Sequence, residues 1–461
     1  MTTATEIAAT VQSGQARAAD IVAACLDRIE RLNPALKAFT NVVAGRAHAK
    51  AAALDAAIAA GSRPGPLAGV PFAVKNLIDI AGLPTLAGSK INRDDPPATD
   101  DAPLVTRLEA AGAILVGALN MGEYAYDFTG ENVHYGPSRN PFDTARMSGG
   151  SSGGSGSAVG GGLVPLALGS DTNGSIRVPS SFCGLFGLKP TYGRLTRTGT
   201  FPFVSSLDHL GPMARSTADL ATAYDAMQGY DAGDPVCVDR PAEPVSETLN
   251  GGAAGLRIAS ADGYFRAGAS PEALAALELV AAALGTSETI TIAQASLARS
   301  AAYVITTTEG AALHTQRLRN RPDDFDADVR DRLIAGALVP AAAVVQAQKF
   351  RRWFRDEVLG LFQRVDAILA PATPCVAPLI GQKTFVLDGQ EVPLRPNIGI
   401  YTQPISFIGL PVATVPVPTA LGLPIGVQII TAPWREDLAL RIARTLEAAG
   451  VVRTPSPALA V

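Results

Sequence analysis

Met147-Ser148-Gly149-Gly150-Ser151-Ser152-Gly153-Gly154-Ser155-Gly156-Ser157 decides how the rest of the chain is read. An apolar run follows, Leu163-Val164-Pro165-Leu166-Ala167-Leu168-Gly169. A second polar turn comes next, Ser170-Asp171-Thr172-Asn173-Gly174-Ser175-Ile176-Arg177-Val178-Pro179. A flexible Gly/Ser linker has the composition of the first stretch. A linker, however, joins two self-sufficient units through polar sequence, and here a strand-like run and another serine turn follow at once. The better reading is two small-residue turns flanking one strand. Each turn offers a serine hydroxyl, and each has glycines that let main-chain N–H groups face a ligand. Such an arrangement builds a nucleophile beside an oxyanion hole. It lacks only a base.

The base candidate lies upstream. Leu67-Ala68-Gly69-Val70-Pro71-Phe72-Ala73-Val74-Lys75-Asn76 reads as a short apolar strand ending on a lysine. A buried ammonium is costly. Such a lysine either snorkels to the surface or has a function, and burial would lower its pKa toward neutrality. If Lys75, Ser151 and Ser175 share a cavity, Ser151 can bridge the other two. Neutral Lys75 would then take a proton through Ser151 as Ser175 attacks a carbonyl. The N–H groups of Thr172, Asn173, Gly174 and Ser175 would face the developing oxyanion.

Composition narrows the class. The 461 residues are 47% hydrophobic, enough for a large core. Lys plus Arg total 38 against 42 Asp plus Glu, a net charge of −4. That balance argues against a nucleic-acid partner, which needs clustered positive charge. Cys25, Cys183, Cys237 and Cys375 form no CxxC pair, and His48, His134, His209 and His314 show no ligand spacing. The expectation is therefore reduced thiols, a cytoplasmic protein, no metal and no cofactor. No apolar run reaches membrane-spanning length, and the start shows no secretory signal. Strand and helix signals alternate, which predicts an α/β fold: one large domain, a mixed sheet with helices on both sides. Residues 1–62 are expected to form a helical arm, continuous with a catalytic domain over 63–461. Within the arm, a helix capped by Asp20 is predicted to stop at Asn33-Pro34. Residues 297–360 are expected to be mostly helical.

Two rival motifs need weighing. Gly149-Gly150-Ser151-Ser152-Gly153 matches the G-x-S-x-G nucleophile elbow, with His209 and His314 following in order. That reading leaves Lys75 and the second serine turn unexplained. A phosphate-binding loop needs G-x-x-x-x-G-K-[ST], which is absent. A non-catalytic scaffold for binding partners is a third reading, and the presence of all three candidate residues opposes it.

These residues resemble the amidase-signature hydrolases. The similarity rests on Gly149 to Gly154, Asp171, Ser175-Ile176-Arg177 with Pro179, and the strand-borne lysine in Gly69 to Asn76. It extends to Cys183-Gly184-Leu185-Phe186-Gly187-Leu188-Lys189-Pro190-Thr191, Gly409-Leu410-Pro411 and Leu423-Pro424-Ile425-Gly426-Val427-Gln428, nearly the whole chain. The resemblance implies a Ser–cisSer–Lys triad working through an acyl-enzyme. Ser175 is the implied nucleophile, Ser151 the serine after a cis peptide, and Lys75 the base. By the same analogy Tyr126, Asp127, Phe128, Thr129 and Ser152 are expected near the substrate. Arg177 is expected to brace Asp171, and His134 to be structural. One departure stands out: the family has Gly or Ala where this chain has Asn173, and Asn is the next residue to accept positive φ.

Thr85 to Arg93, Asp171 to Ser175, Leu318-Arg319-Asn320-Arg321-Pro322 and Ile430 to Trp434 resemble one branch of the family. Its members act in cyanuric acid breakdown. This implies ammonia release from a small linear amide or carboxylated ureide, and a small helical partner subunit or a homodimer. A carboxylated substrate needs a cation, for which Arg319 and Arg321 are the candidates. The family's glutamine-hydrolysing branch carries an Arg-Tyr-Asp-Gly segment that is absent around Glu309 to His314. A general aryl or aliphatic amidase would share the same signature.

Overall fold

The computed structural model describes residues 2–457; residue 1 and residues 458–461, the outer ends of the two segments expected above, lie outside the described residues. The strands are β1 (Phe39–Val42), β2 (Pro71–Lys75), β3 (Ile114–Leu119), β4 (Leu166–Asp171), β5 (Phe186–Lys189), β6 (His209–Ala214) and β7 (Ile258–Ala261). They continue with β8 (Thr289–Ile290), β9 (Ala367–Pro371), β10 (Thr384–Leu387), β11 (Gln390–Pro393), β12 (Val412–Pro418) and β13 (Pro424–Thr431). Eleven of them form one sheet in the order β1-β3-β2-β4-β6-β5-β12-β13-β9-β7-β8, while β10 and β11 pair as a separate hairpin. The sheet is mixed. β2 runs parallel to both β3 and β4, and β4 runs antiparallel to β6. Both faces are covered, so the central strands read as continuous apolar runs rather than alternating ones. Phe72, Val74, Leu166 and Leu168 enter one core. Ala73, Ala167 and Met213 enter the other, with Val22, Cys25 and Ile29 of the N-terminal arm.

The Gly/Ser stretch is not turn throughout. Gly153–Gly160 is an α-helix with every residue buried. Residues of mostly poor or middling helix propensity form it because the site admits little that is larger. A Cβ on Gly154 would stand 2.5 Å from Ala38 O and from Asn120 N and O. Tertiary packing overrides propensity here.

The arm also departs from the sequence expectation. Its second helix runs Ala18–Leu36, straight through Pro34, and the strand β1 follows it. Pro34 falls in the last turn of that helix. Asp20 does not cap it. Asp55, from the Ala44–Ala59 helix, accepts from Ala18 N at 2.7 Å and from Ala19 N at 3.0 Å. Three long helices, Ala295–Asn320, Ala327–Ala337 and Ala341–Leu361, fill the stretch expected to be helical. Among the described residues no single helix is long and apolar enough to cross a membrane.

Candidate active site

β2 and β4 are parallel neighbours, so Lys75 and Asp171 stand at the same edge of the sheet, where α/β folds commonly build their sites. Lys75 has no exposed surface. Its Nζ donates to Ser151 Oγ at 2.6 Å and to Ser170 Oγ at 2.8 Å. Burial pushes the ammonium down to about 7, while the Asp171, Asp208 and Asp127 carboxylates pull partly against it. A neutral amine is therefore available near physiological pH. Ser151 follows a cis peptide from Gly150. That segment is held by Gly150 N donating to Phe128 O at 2.8 Å and Gly122 N donating to Ser151 O at 3.0 Å.

Ser175 lies in the second turn, which is tied to the first by Ser152 N donating to Ser175 O at 3.4 Å. It lines a narrow pocket with Tyr126, Asp127, Thr172, Asn173, Thr306, Arg332 and Gln403. Among the described residues the main-chain N–H groups of Thr172, Asn173, Gly174 and Ser175 donate to no protein acceptor. Four adjacent unpaired donors beside a serine can receive a developing negative charge. Their turn is fixed from beneath. Arg177 Nε and Nη2 donate to Asp171 Oδ2 and Oδ1, both at 3.0 Å. The same guanidinium reaches Thr402 O at 3.1 Å and Gln428 Oε1 at 2.7 Å. Burial alone would raise the Asp171 carboxyl, but the Arg177 charge and hydrogen bonds outweigh it and hold the group well below its ordinary value. Arg177 thus braces Asp171, as its position two residues after Ser175 suggests.

The histidine-based reading of Ser151 finds no geometry. His209 Nδ1 lies 2.6 Å from Leu207 O and 3.0 Å from Asp171 O. The His314 ring stacks among Tyr124, Phe201 and Phe325, with neither nitrogen hydrogen-bonded.

The sequence pattern of the amidases matches residues 20–440. The chain belongs to the amidase family. It is 52% identical to AtzE, the 1-carboxybiuret hydrolase subunit of Pseudomonas sp. (strain ADP), over 97% of this chain and 98% of that protein. It is 37% identical to a glutamyl-tRNA(Gln) amidotransferase subunit of Methylococcus capsulatus (strain ATCC 33009 / NCIMB 11132 / Bath), over 99% and 98%. A solved structure, described as a vestigial protein complex that reveals the evolutionary origins of an s-triazine catabolic enzyme, superposes with a TM-score of 0.98 at 52% identity. That match covers 98% of this chain and 100% of the other. The α/β fold expected from the alternating elements is the family's fold, and the protein is a hydrolase of C–N amide bonds.

Other residues of this amidase sit differently from the expectation. Asn173 does not take positive φ; Gly174 does, at +141°. A Cβ there would lie 2.2 Å from Thr402 Oγ1, so the turn needs glycine at 174 and leaves 173 free to carry a side chain. Ser152 faces the main chain, not the pocket: its Oγ donates to Ser170 O at 3.1 Å and accepts from Ser170 N at 3.2 Å. Thr129 Oγ1 donates to Asp127 Oδ1 at 2.8 Å and shapes the loop rather than lining the pocket. Arg319 is exposed near the end of its helix, and Arg321 pairs with Asp94 and Asp324. Neither reaches the pocket. His134 Nε2 lies 2.7 Å from Glu123 Oε1, within a buried network that also takes Ser89 Oγ and Asp326 N.

The pocket's cation is Arg332, which sequence reading missed. Its guanidinium lies 3.9 Å from the centre of the Tyr126 ring. Nη2 donates to Tyr126 O at 2.6 Å and Nε to Asp328 O at 2.7 Å. Among the described residues no carboxylate pairs with it; the neighbouring Asp331 and Asp328 pair instead with Arg330 and Arg395. Nothing local in the sequence singles out Arg332 among the charges of a helix. Ser170 was missed too, although it sits near the end of the strand that pairs with Lys75's own.

Proposed function

We propose that this protein hydrolyses a small carboxylated ureide of the 1-carboxybiuret type, releasing ammonia through a Lys75–Ser151–Ser175 triad. The observation that carries the reading is the buried Lys75 Nζ to Ser151 Oγ contact of 2.6 Å, at the sheet edge that also bears Ser175 and the four unpaired N–H groups. Neutral Lys75 takes a proton from Ser151, which takes one from Ser175 as that Oγ attacks the carbonyl carbon. The N–H groups of residues 172–175 hold the oxyanion. On collapse the C–N bond breaks, Ser151 returns a proton to the leaving nitrogen, and ammonia departs. Water then cleaves the acyl-enzyme along the same path. Ser175 Oγ makes no side-chain hydrogen bond among the described residues, so the Ser151 to Ser175 link is one that substrate closes. Ser170 holds the second Nζ proton and fixes the amine's direction.

Arg332 is the proposed anchor for the substrate carboxylate, because it enters the pocket as an unpaired guanidinium already held in place. The relative's 1-carboxybiuret activity and the family's amide chemistry support the substrate class. A small partner subunit is proposed on similar grounds, since the 52%-identical solved chain belongs to a protein complex. Ammonia release from biuret-type, oxamate-type and aryl amides, compared between wild type and Ser175→Ala, tests the proposal. Release by wild type with a preference for ureides is expected. Equal release by the variant would refute it.

A further inference from the structure

Two residues that line the pocket each carry a buried polar atom with no hydrogen-bond partner among the described residues. Asn173 is 7% exposed, and its Nδ2 donates to Thr306 Oγ1 at 3.0 Å. Its Oδ1 has no donor. Tyr126 is 5% exposed, and its hydroxyl has no partner either. Burying an acceptor or a donor without a partner is costly, and proteins rarely tolerate it without a use. Two neighbouring acceptors are already engaged. Thr306 holds Asn173, and Gln403 Oε1 accepts from Arg299 Nε at 2.9 Å. Burial pushes the Tyr126 phenol up, so its hydroxyl stays a neutral donor. One lone acceptor and one lone donor, each on a residue that lines the pocket with Ser175, call for a ligand presenting an N–H and a C=O.

We propose that Asn173 Oδ1 and the Tyr126 hydroxyl select ureides, Asn173 accepting from the N–H that flanks the scissile carbonyl and Tyr126 donating to the next carbonyl along. This rests on the amide-hydrolase reading and names what sets its substrate class. An ordinary carboxamide has a CH2 where a ureide has that N–H, and would leave Oδ1 buried without a donor. Sites built around a hydrogen bond reject analogues that lack it far more strongly than apolar pockets reject a methylene.

The test uses biuret and malonamide, which differ only by N–H against CH2 between two carboxamides. The readout is the ratio of their kcat/KM values from ammonia release by the full-length protein. Wild type should favour biuret by about tenfold or more. Asn173→Ala, which keeps the main-chain N–H, should cut the ratio by about tenfold. Tyr126→Phe should slow both substrates and leave the ratio, because both present the second carbonyl. A wild-type ratio near one, or a ratio unmoved by Asn173→Ala, overturns the proposal. If Asn173→Ala does not fold, the wild-type ratio still decides. Absence of ammonia from either substrate and from simple amides would instead sink the amide-hydrolase reading.

Discussion

Lys75 and Lys189 are both fully buried lysines, and burial pushes both down to about 7. Only their partners separate them. Lys189 Nζ donates to Pro190 O, a group that cannot move a proton, whereas Lys75 meets two serine hydroxyls. The depressed pKa is therefore no mark of a base until geometry supplies the relay. Because the neutral amine is the proposed base, kcat/KM should rise with pH through about 7 and level off above it. A pH–rate profile flat from about 5 to about 9 would assign the base elsewhere. Between about 7 and the ordinary 10.5 the folded chain binds fewer protons than the unfolded one, so the buried amine costs stability that is regained only as pH rises. Lys75→Met should thus abolish turnover while leaving the melting temperature at about pH 7 no lower, as calorimetry would read. Arg332→Gln should raise KM for carboxylated ureides by about tenfold or more and spare kcat for neutral ones, a split that steady-state kinetics resolves. Lys75, Ser151 and Ser175 were legible because each departs from its surroundings: a lysine ending an apolar strand, and serines in glycine turns. Arg332 was not, because a helix displays many cations and only packing shows which one meets a pocket.

Among the elements, the Gly153–Gly160 helix is one that sequence reading misjudged. Its residues carry turn chemistry, and its shape comes from the close approach of Ala38 and Asn120. Gly154→Ala should destabilise the fold by about 1–3 kcal/mol or more, since the added methyl meets backbone that cannot rotate away. Chemical denaturation reads this directly, and an unchanged midpoint would mean the helix sits more loosely than described. The second turn depends on the fully buried Asp171–Arg177 pair. Arg177→Leu leaves Asp171 as an uncompensated buried charge and should cost about 3–5 kcal/mol, read the same way. Strands β2 and β4 were visible as apolar runs within a few residues of their observed bounds. β6 was not: it contains Gly211 and Pro212, and long-range pairing with β4 and β5 makes it a strand.

Across the whole molecule, one sheet with two covered faces ties the N-terminal arm to the rest, with β1 paired to β3. Val22, Cys25 and Ile29 share a core with Ala158 and Val159 of the helix that follows the proposed relay serine, and with Leu163. A chain starting at residue 63 should therefore fail to give a soluble, cooperatively melting protein. The overall class was legible because alternating strands and helices leave few ways to bury both sheet faces. Strand order was not, because the antiparallel insertions of β6 and β12 depend on contacts far apart in sequence. The account turns on which serine forms the covalent bond. Fragment-ion mass spectrometry after reaction with a serine-directed fluorophosphonate tests it most directly. The adduct should lie on Ser175 in wild type and be lost in Ser175→Ala, while an adduct on Ser151, or one that survives that substitution, would contradict the account.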